Sequence, residues 1–124
     1  MKKLGKLGLL KKRSEFLFVR EGRYQARNSI VIQARENPNH NEIRVGFTAT
    51  KKIGNAVIRN RAKRRLRAVC QEILPQLGQL GTDYVFIARD KTVTQPYEAL
   101  LDDTQKALKR LEKSRTSPDI EHIK

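Results

Sequence analysis

Gly54-Asn55-Ala56-Val57-Ile58-Arg59-Asn60-Arg61-Ala62-Lys63-Arg64-Arg65-Leu66-Arg67 is the stretch on which the reading of this chain turns. With Lys51-Lys52-Ile53 before it, it holds eight bases in seventeen positions, and no acid occurs from Ile43 through Gln71. Gly54-Asn55 offers a chain break and an N-cap, and Pro75 a stop, so a helix is expected over residues 56–74. At roughly 100° per residue, Ile58, Ala62, Leu66, Val69, Cys70 and Ile73 share one side, which needs a sheet to cover it. Asn60, Lys63, Arg64 and Arg67 follow i, i+3, i+4, i+7 on the other side, with Arg61 at their border. Arg59 and Arg65 flank the apolar stripe and can snorkel from it. Ordinary solvated helix faces mix signs, whereas this one repels itself and is relieved by an anionic polymer.

Working outward, Ile43-Arg44-Val45-Gly46-Phe47-Thr48-Ala49-Thr50 alternates with period two, as a half-buried strand does. Its apolar members are Ile43, Val45, Phe47 and Ala49, so Arg44, Thr48 and Thr50 face the opposite way. Residues 29–35 read as a β-branched strand, and the Asn/Pro-rich turn at 37–41 predicts that it pairs antiparallel with 43–50. Residues 83–89 are almost continuously apolar, the pattern of an interior strand. Upstream, Ser14 caps a short helix that reaches Glu21 and stops at Gly22. Downstream, residues 92–96 form a loop, and Tyr97, Leu100, Leu101, Thr104, Leu108 and Leu111 trace one face of a last helix. The expected organisation is a mobile basic arm over 1–12, one α/β domain over 13–113 and a frayed tail over 114–124.

The 124 residues carry a formal charge of +14, enough chain for one core and an excess that points first to nucleic acid and second to an anionic membrane surface. From Glu98 onward six acids balance six Lys and Arg, so the excess lies in the first 97 residues and the closing helix reads as charge-balanced. Cys70 is the only cysteine, which excludes an internal disulfide and suits a reducing, cytoplasmic setting. No apolar run approaches the roughly 20 residues of a membrane span. His40 and His122 have no metal-ligand spacing with Cys70, and no serine has a nucleophile context, so neither a metal site nor a protein-borne catalytic residue is expected. Asp102-Asp103 fits a solvent-facing helix position better than a two-carboxylate nuclease centre, with Asp102 and Lys106 an i, i+4 pair. On these grounds alone, a structural ribosomal protein and a nonspecific DNA-binding protein remain alternatives.

Lys51-Lys52-Ile53-Gly54-Asn55-Ala56-Val57, followed by Arg59-Asn60-Arg61 and Lys63-Arg64, resembles the signature of the bacterial ribonuclease P protein family. The likeness continues through Phe16, Arg44-Val45-Gly46-Phe47 and Asp83-Tyr84-Val85-Phe86-Ile87-Ala88-Arg89, covering about residues 9–112. It implies an α+β fold, a small α/β two-layer sandwich ordered helix-strand-strand-strand-helix-strand-helix, with a left-handed βαβ crossover that general topology rules disfavour. It implies two RNA partners: a catalytic RNA whose Mg²⁺ ions serve the chemistry, and precursor tRNA, whose 5′ leader is removed. Lys51, Lys52, Asn55, Arg59, Asn60, Arg61, Lys63, Arg64, Arg65 and Arg67 are then expected on the catalytic RNA. A cleft between the first helix and the open sheet face would hold the leader, with Phe16, Phe18, Arg20, Arg27, Arg44, Thr48 and Thr50 as its expected contacts. Arg20 stands where the family often has a second aromatic.

Overall fold

The computed structural model describes residues 7–116. Its elements are β1 (Leu7–Leu9), α1 (Arg13–Arg20), β2 (Arg23–Ala26), β3 (Ile30–Glu36), β4 (Ile43–Thr48), a 3₁₀ turn (Lys51–Ile53), α2 (Ala56–Leu77), β5 (Thr82–Ala88), α3 (Asp90–Thr94) and α4 (Tyr97–Thr116). The strands form one mixed sheet in the order β1-β4-β5-β3-β2. The α+β sandwich expected from the sequence is therefore present.

The predicted pairing of β3 with β4 is corrected. β5 inserts between them, antiparallel to β3 from Ile30↔Ala88 to Glu36↔Thr82, and parallel to β4 from Ile43↔Thr82 to Thr48↔Ile87. The cause is visible in β5 itself. Tyr84, Phe86 and Ala88 are buried on one face and Val85 on the other, so the strand needs cover on both faces and neighbours on both edges. The Asn-rich turn straddles the start of β5 rather than closing a hairpin: Asn37 N donates to Gly81 O at 2.7 Å, and Gly81 N donates to Glu42 O at 2.8 Å.

The main core lies between the sheet and the α2/α4 layer. Ile30, Ile32, Ala34, Val45, Tyr84 and Phe86 meet Ala62, Leu66, Val69, Leu74, Leu100 and Leu108 there. A smaller cluster on the opposite face joins Leu10, Val19 and Val85 under α1, with Phe16, Phe18 and Ile87 against it. Period-two alternation thus feeds two cores from one sheet.

Several boundaries differ from expectation. Leu7–Leu9, placed by the sequence in a mobile arm, adds to the sheet edge parallel to β4, and Leu10 N donates to Val45 O at 2.9 Å. α1 begins at Arg13, one residue before the expected cap, because Glu15 Oε1 accepts from Lys11 N (2.7 Å) and Lys12 N (2.9 Å). α2 continues two residues past Pro75, with Leu74 fully buried and Leu77 against the core, so that packing offsets the lost proline bond in its last turn. Asp90–Thr94 is a helical turn rather than loop, fixed by buried Thr92, whose Oγ1 accepts from Arg89 N (2.8 Å) and donates to Ser29 O (2.6 Å). α4 runs through Thr116, and the rest of the expected tail lies outside the described residues.

Candidate nucleic-acid interface

The basic face begins with backbone chemistry. Gly54 has φ of 146°, a conformation that side chains disfavour, and it lets the chain turn from the 3₁₀ segment into α2. Asn55 then caps the helix, its Oδ1 accepting from Ile58 N at 3.0 Å. Ala62, Leu66, Val69, Cys70 and Ile73 are buried as the helical spacing predicts, while Ile58 is half-buried beneath Gly54. The inward stripe fixes the rotation of α2 and so aims its opposite face at solvent.

The ten residues expected on the catalytic RNA divide by what already holds them. Lys51, Lys52, Asn60, Arg61 and Arg64 are exposed and Lys63 is half-buried; none of them has a carboxylate partner among the described residues. Asn55 serves the cap. Arg59 Nη1 donates to Gly54 O at 2.9 Å and ties the turn to the helix. Arg65 donates to Gln95 O, and its guanidinium lies 6.0 Å from the centroid of Tyr97, whose hydroxyl donates to Glu72 Oε1 at 2.9 Å. Arg67 is exposed, with its guanidinium 5.6 Å from the Phe47 centroid. A row of free charge thus stands on a base of tethered arginines, so its geometry is set before any ligand arrives.

On the other side of the sheet, α1 crosses over β3 and β5 and leaves a cleft of about 210 Å³. Phe16, Leu17, Val85 and Ile87 give it apolar walls, Arg13 and Arg20 charge, and Gln33 and Thr48 hydrogen-bonding groups. The Phe16 ring lies so close to Gly46 that a Cβ there would stand 2.5 Å from it. Gly46 is thus required for close approach, and the ring lies against β4.

Of the residues expected to bind the leader, the structure brings together Phe16, Arg20 and Thr48. Phe18 does not line the cleft; it packs against the small core, with the Arg35 guanidinium 4.1 Å from its ring centroid. Arg44 does face this side of the sheet, but it is taken: Nε and Nη2 donate to Asp83 at 3.0 and 3.1 Å, and Nη1 lies 3.8 Å from Glu15. Hydrogen bonding to Asp83 holds the Arg44 pKa above its ordinary value. Thr50 is exposed at the entry to the 3₁₀ turn and does not line the cleft. Arg27 lies in a different groove, beside α4. Sequence reasoning missed Arg13, Leu17, Gln33, Val85 and Ile87. The strand members were signalled by alternation, since Gln33, Val85 and Ile87 are out of phase with the inward residues of their strands.

No three His, Cys, Asp or Glu side chains gather into a metal-holding group among the described residues. No described helix is long and apolar enough to cross a membrane.

Fold and surfaces together define a class: a small basic α+β domain with a charged helix on one side of its sheet and an amphipathic cleft on the other. The chain belongs to the Ribonuclease P family, whose model matches residues 4–112. It is 47% identical over 108 residues to the ribonuclease P protein component of Ruegeria pomeroyi, covering 85% of this chain and 86% of that one. It is 48% identical over 100 residues to the component from Caulobacter vibrioides, covering 80% and 67%. Among solved structures, the Staphylococcus aureus RNase P protein superposes with a TM-score of 0.71 at 26% identity, covering 83% of this chain and 94% of that one. The Thermotoga maritima protein gives 0.69 at 26% identity, covering 82% and 94%. The family supplies the protein component of ribonuclease P, an endoribonuclease of tRNA processing.

Proposed function

We propose that this chain docks on the catalytic RNA of ribonuclease P through the outer face of α2 and holds the 5′ leader of precursor tRNA in the α1 cleft. The observation that carries the reading is the separation of two unlike surfaces by one sheet. The α2 face presents a row of bases without carboxylate partners among the described residues, Arg61 and Arg64 beside Tyr97 among them, which suits the phosphates of a folded RNA. The cleft pairs Phe16 and apolar walls with Arg13 and Arg20, which suits unpaired nucleotides: bases stack or pack, and phosphates meet guanidinium groups. In this reading the RNA performs the cleavage and binds the Mg²⁺, and the protein lowers repulsion between the two RNAs. The setting is the cytoplasm, where both RNAs would be met.

The test mixes the purified protein with ribonuclease P RNA and precursor tRNA at low Mg²⁺. The expected result is leader removal that depends on the protein, with tighter precursor binding as the leader lengthens across the cleft. RNA that is competent at high Mg²⁺ yet gains nothing from the protein at low Mg²⁺ would overturn the proposal. Replacing Arg61 and Arg64 by Ala should weaken assembly with the RNA, whereas replacing Phe16 should weaken leader binding with assembly intact.

A further inference from the structure

α4 carries a second basic surface that the overall charge balance of the C-terminal segment conceals. Its acids Glu98, Asp102 and Asp103 come first, and Lys106, Lys109, Arg110 and Lys113 follow, with Glu112 the one acid among them. Those four bases sit at i, i+3, i+4 and i+7 and so share one helical face. With Arg27 they line a groove of about 380 Å³, and every lining residue is a base. Arg89 stands next to it, its Nη1 donating to the Arg27 carbonyl at 2.9 Å.

Ordinary helix physics explains only part of this. Bases near a C-terminus complement the helix dipole, which accounts for Arg110 and Lys113. Lys106 pairs with Asp102 at 3.0 Å, but both side chains are 55% exposed and the pair is easily exchanged for another anion. Neither effect accounts for Arg27, which converges from the β2–β3 connection. Of the other acids, Asp103 Oδ2 accepts from Ser29 N and Oγ at 3.0 and 2.7 Å, and neither Glu98 nor Glu112 lines the groove.

Register places the groove. Ile30 pairs with Ala88, and Thr48 with Ile87, so Arg27, Arg89 and Lys51 all emerge at one end of the sheet. α2 starts from that same end, and α4 packs against α2 and over β2 and β3. We infer that the Arg27–α4 groove is a second seat for phosphodiester backbone, engaging a further stretch of the RNA held by α2. The inference rests on the docking role proposed for α2. It makes the interface two-sited, so that the RNA is oriented as well as bound.

The test measures affinity of the full-length protein for ribonuclease P RNA across a KCl series at fixed Mg²⁺. The variant Lys106→Ala/Lys109→Ala/Arg110→Ala should lower the slope of log K against log salt by about 2, since each phosphate contact contributes roughly 0.7–0.9. Lys106→Arg/Lys109→Arg keeps the charge and should keep the slope. A parallel arm, Arg61→Ala/Arg64→Ala, reports on α2. An unchanged slope in the groove variant with a lowered one in the α2 variant overturns this inference alone. Unchanged slopes in both overturn the docking role and the groove together. Two further results overturn it: an equal fall per charge for Lys11→Ala, which is exposed in the segment before α1, and a fall seen only when precursor tRNA is added.

Discussion

Asp83→Asn separates structural from ligand-binding arginine on the open face of the sheet. Asp83 is fully buried and accepts four hydrogen bonds: from Arg44 Nε and Nη2 at 3.0 and 3.1 Å, from Asn37 Nδ2 at 3.0 Å, and from His40 Nε2 at 2.7 Å. Asparagine keeps the volume but removes the charge and turns a donor toward donors. Breaking a buried pair by changing one partner costs roughly 3–5 kcal/mol. Arg44 is 24% exposed and keeps Glu15 at 3.8 Å, so the lower end, about 3 kcal/mol, applies. Urea unfolding at pH 7 should show the midpoint falling with the slope unchanged. Arg44→Met added to Asp83→Asn should cost less than the sum of the single changes.

The acid limb gives an independent check. Burial works to raise the Asp83 pKa, but the hydrogen bonds from Arg44, Asn37 and His40 outweigh it and leave the carboxyl below its ordinary value of 3.8. The stability it contributes is therefore complete above that value and is lost as pH falls through the depressed folded one. The variant should have a flatter acid limb below the ordinary carboxylate range. A loss under about 1 kcal/mol, with leader binding impaired instead, would refute the structural role of Arg44.

Three other outcomes follow from the packing. Leu66→Ala, at a fully buried site in α2, should cost about 2–5 kcal/mol by urea unfolding, and a smaller loss would mean that the helix is not rotated as described. Gly46→Ala puts a Cβ against the Phe16 ring and should both destabilise by about 1–3 kcal/mol and weaken leader binding, with RNA assembly unchanged; normal leader affinity would remove Phe16 from the cleft floor. Cys70 is buried and its thiol is pushed up to about 12, so a disulfide reagent at pH 8 should react only on unfolding; rapid reaction in the folded protein would refute its burial.

Local chemistry was legible, and non-local geometry was not. The helical phase of Leu66 and Arg64 followed from spacing, and the Asn55 cap from residue type, because both depend on neighbours a few positions away. The insertion of β5 between β3 and β4 did not follow, since a turn signal at 37–41 describes a change of direction and not the partner that results. Leu7–Leu9 is too short to show a period and becomes a strand only because β4 has a free edge. Arg44 was placed on the correct face by alternation, yet its role depends on Asp83, thirty-nine positions away, reached through the β4–β5 register. Arg27 failed for the same reason. Its neighbours in space come from α4, where composition shows balance and only the helical arrangement shows segregation.

The central place of β5 also bears on how the molecule comes into being. β3 and β4 leave the ribosome joined by residues 37–42, long before Ala88, and each then has an open inner edge. The partner nearest to hand is the other strand, through the same hairpin that local sequence favours. The native sheet requires that this short-range pairing be avoided or undone, with all of α2 synthesised before β5 can enter the gap. Closing the sheet thus waits on pairing across long chain separations, the slow kind of folding step. The arginine-rich helix is complete before the sheet that orients it has closed.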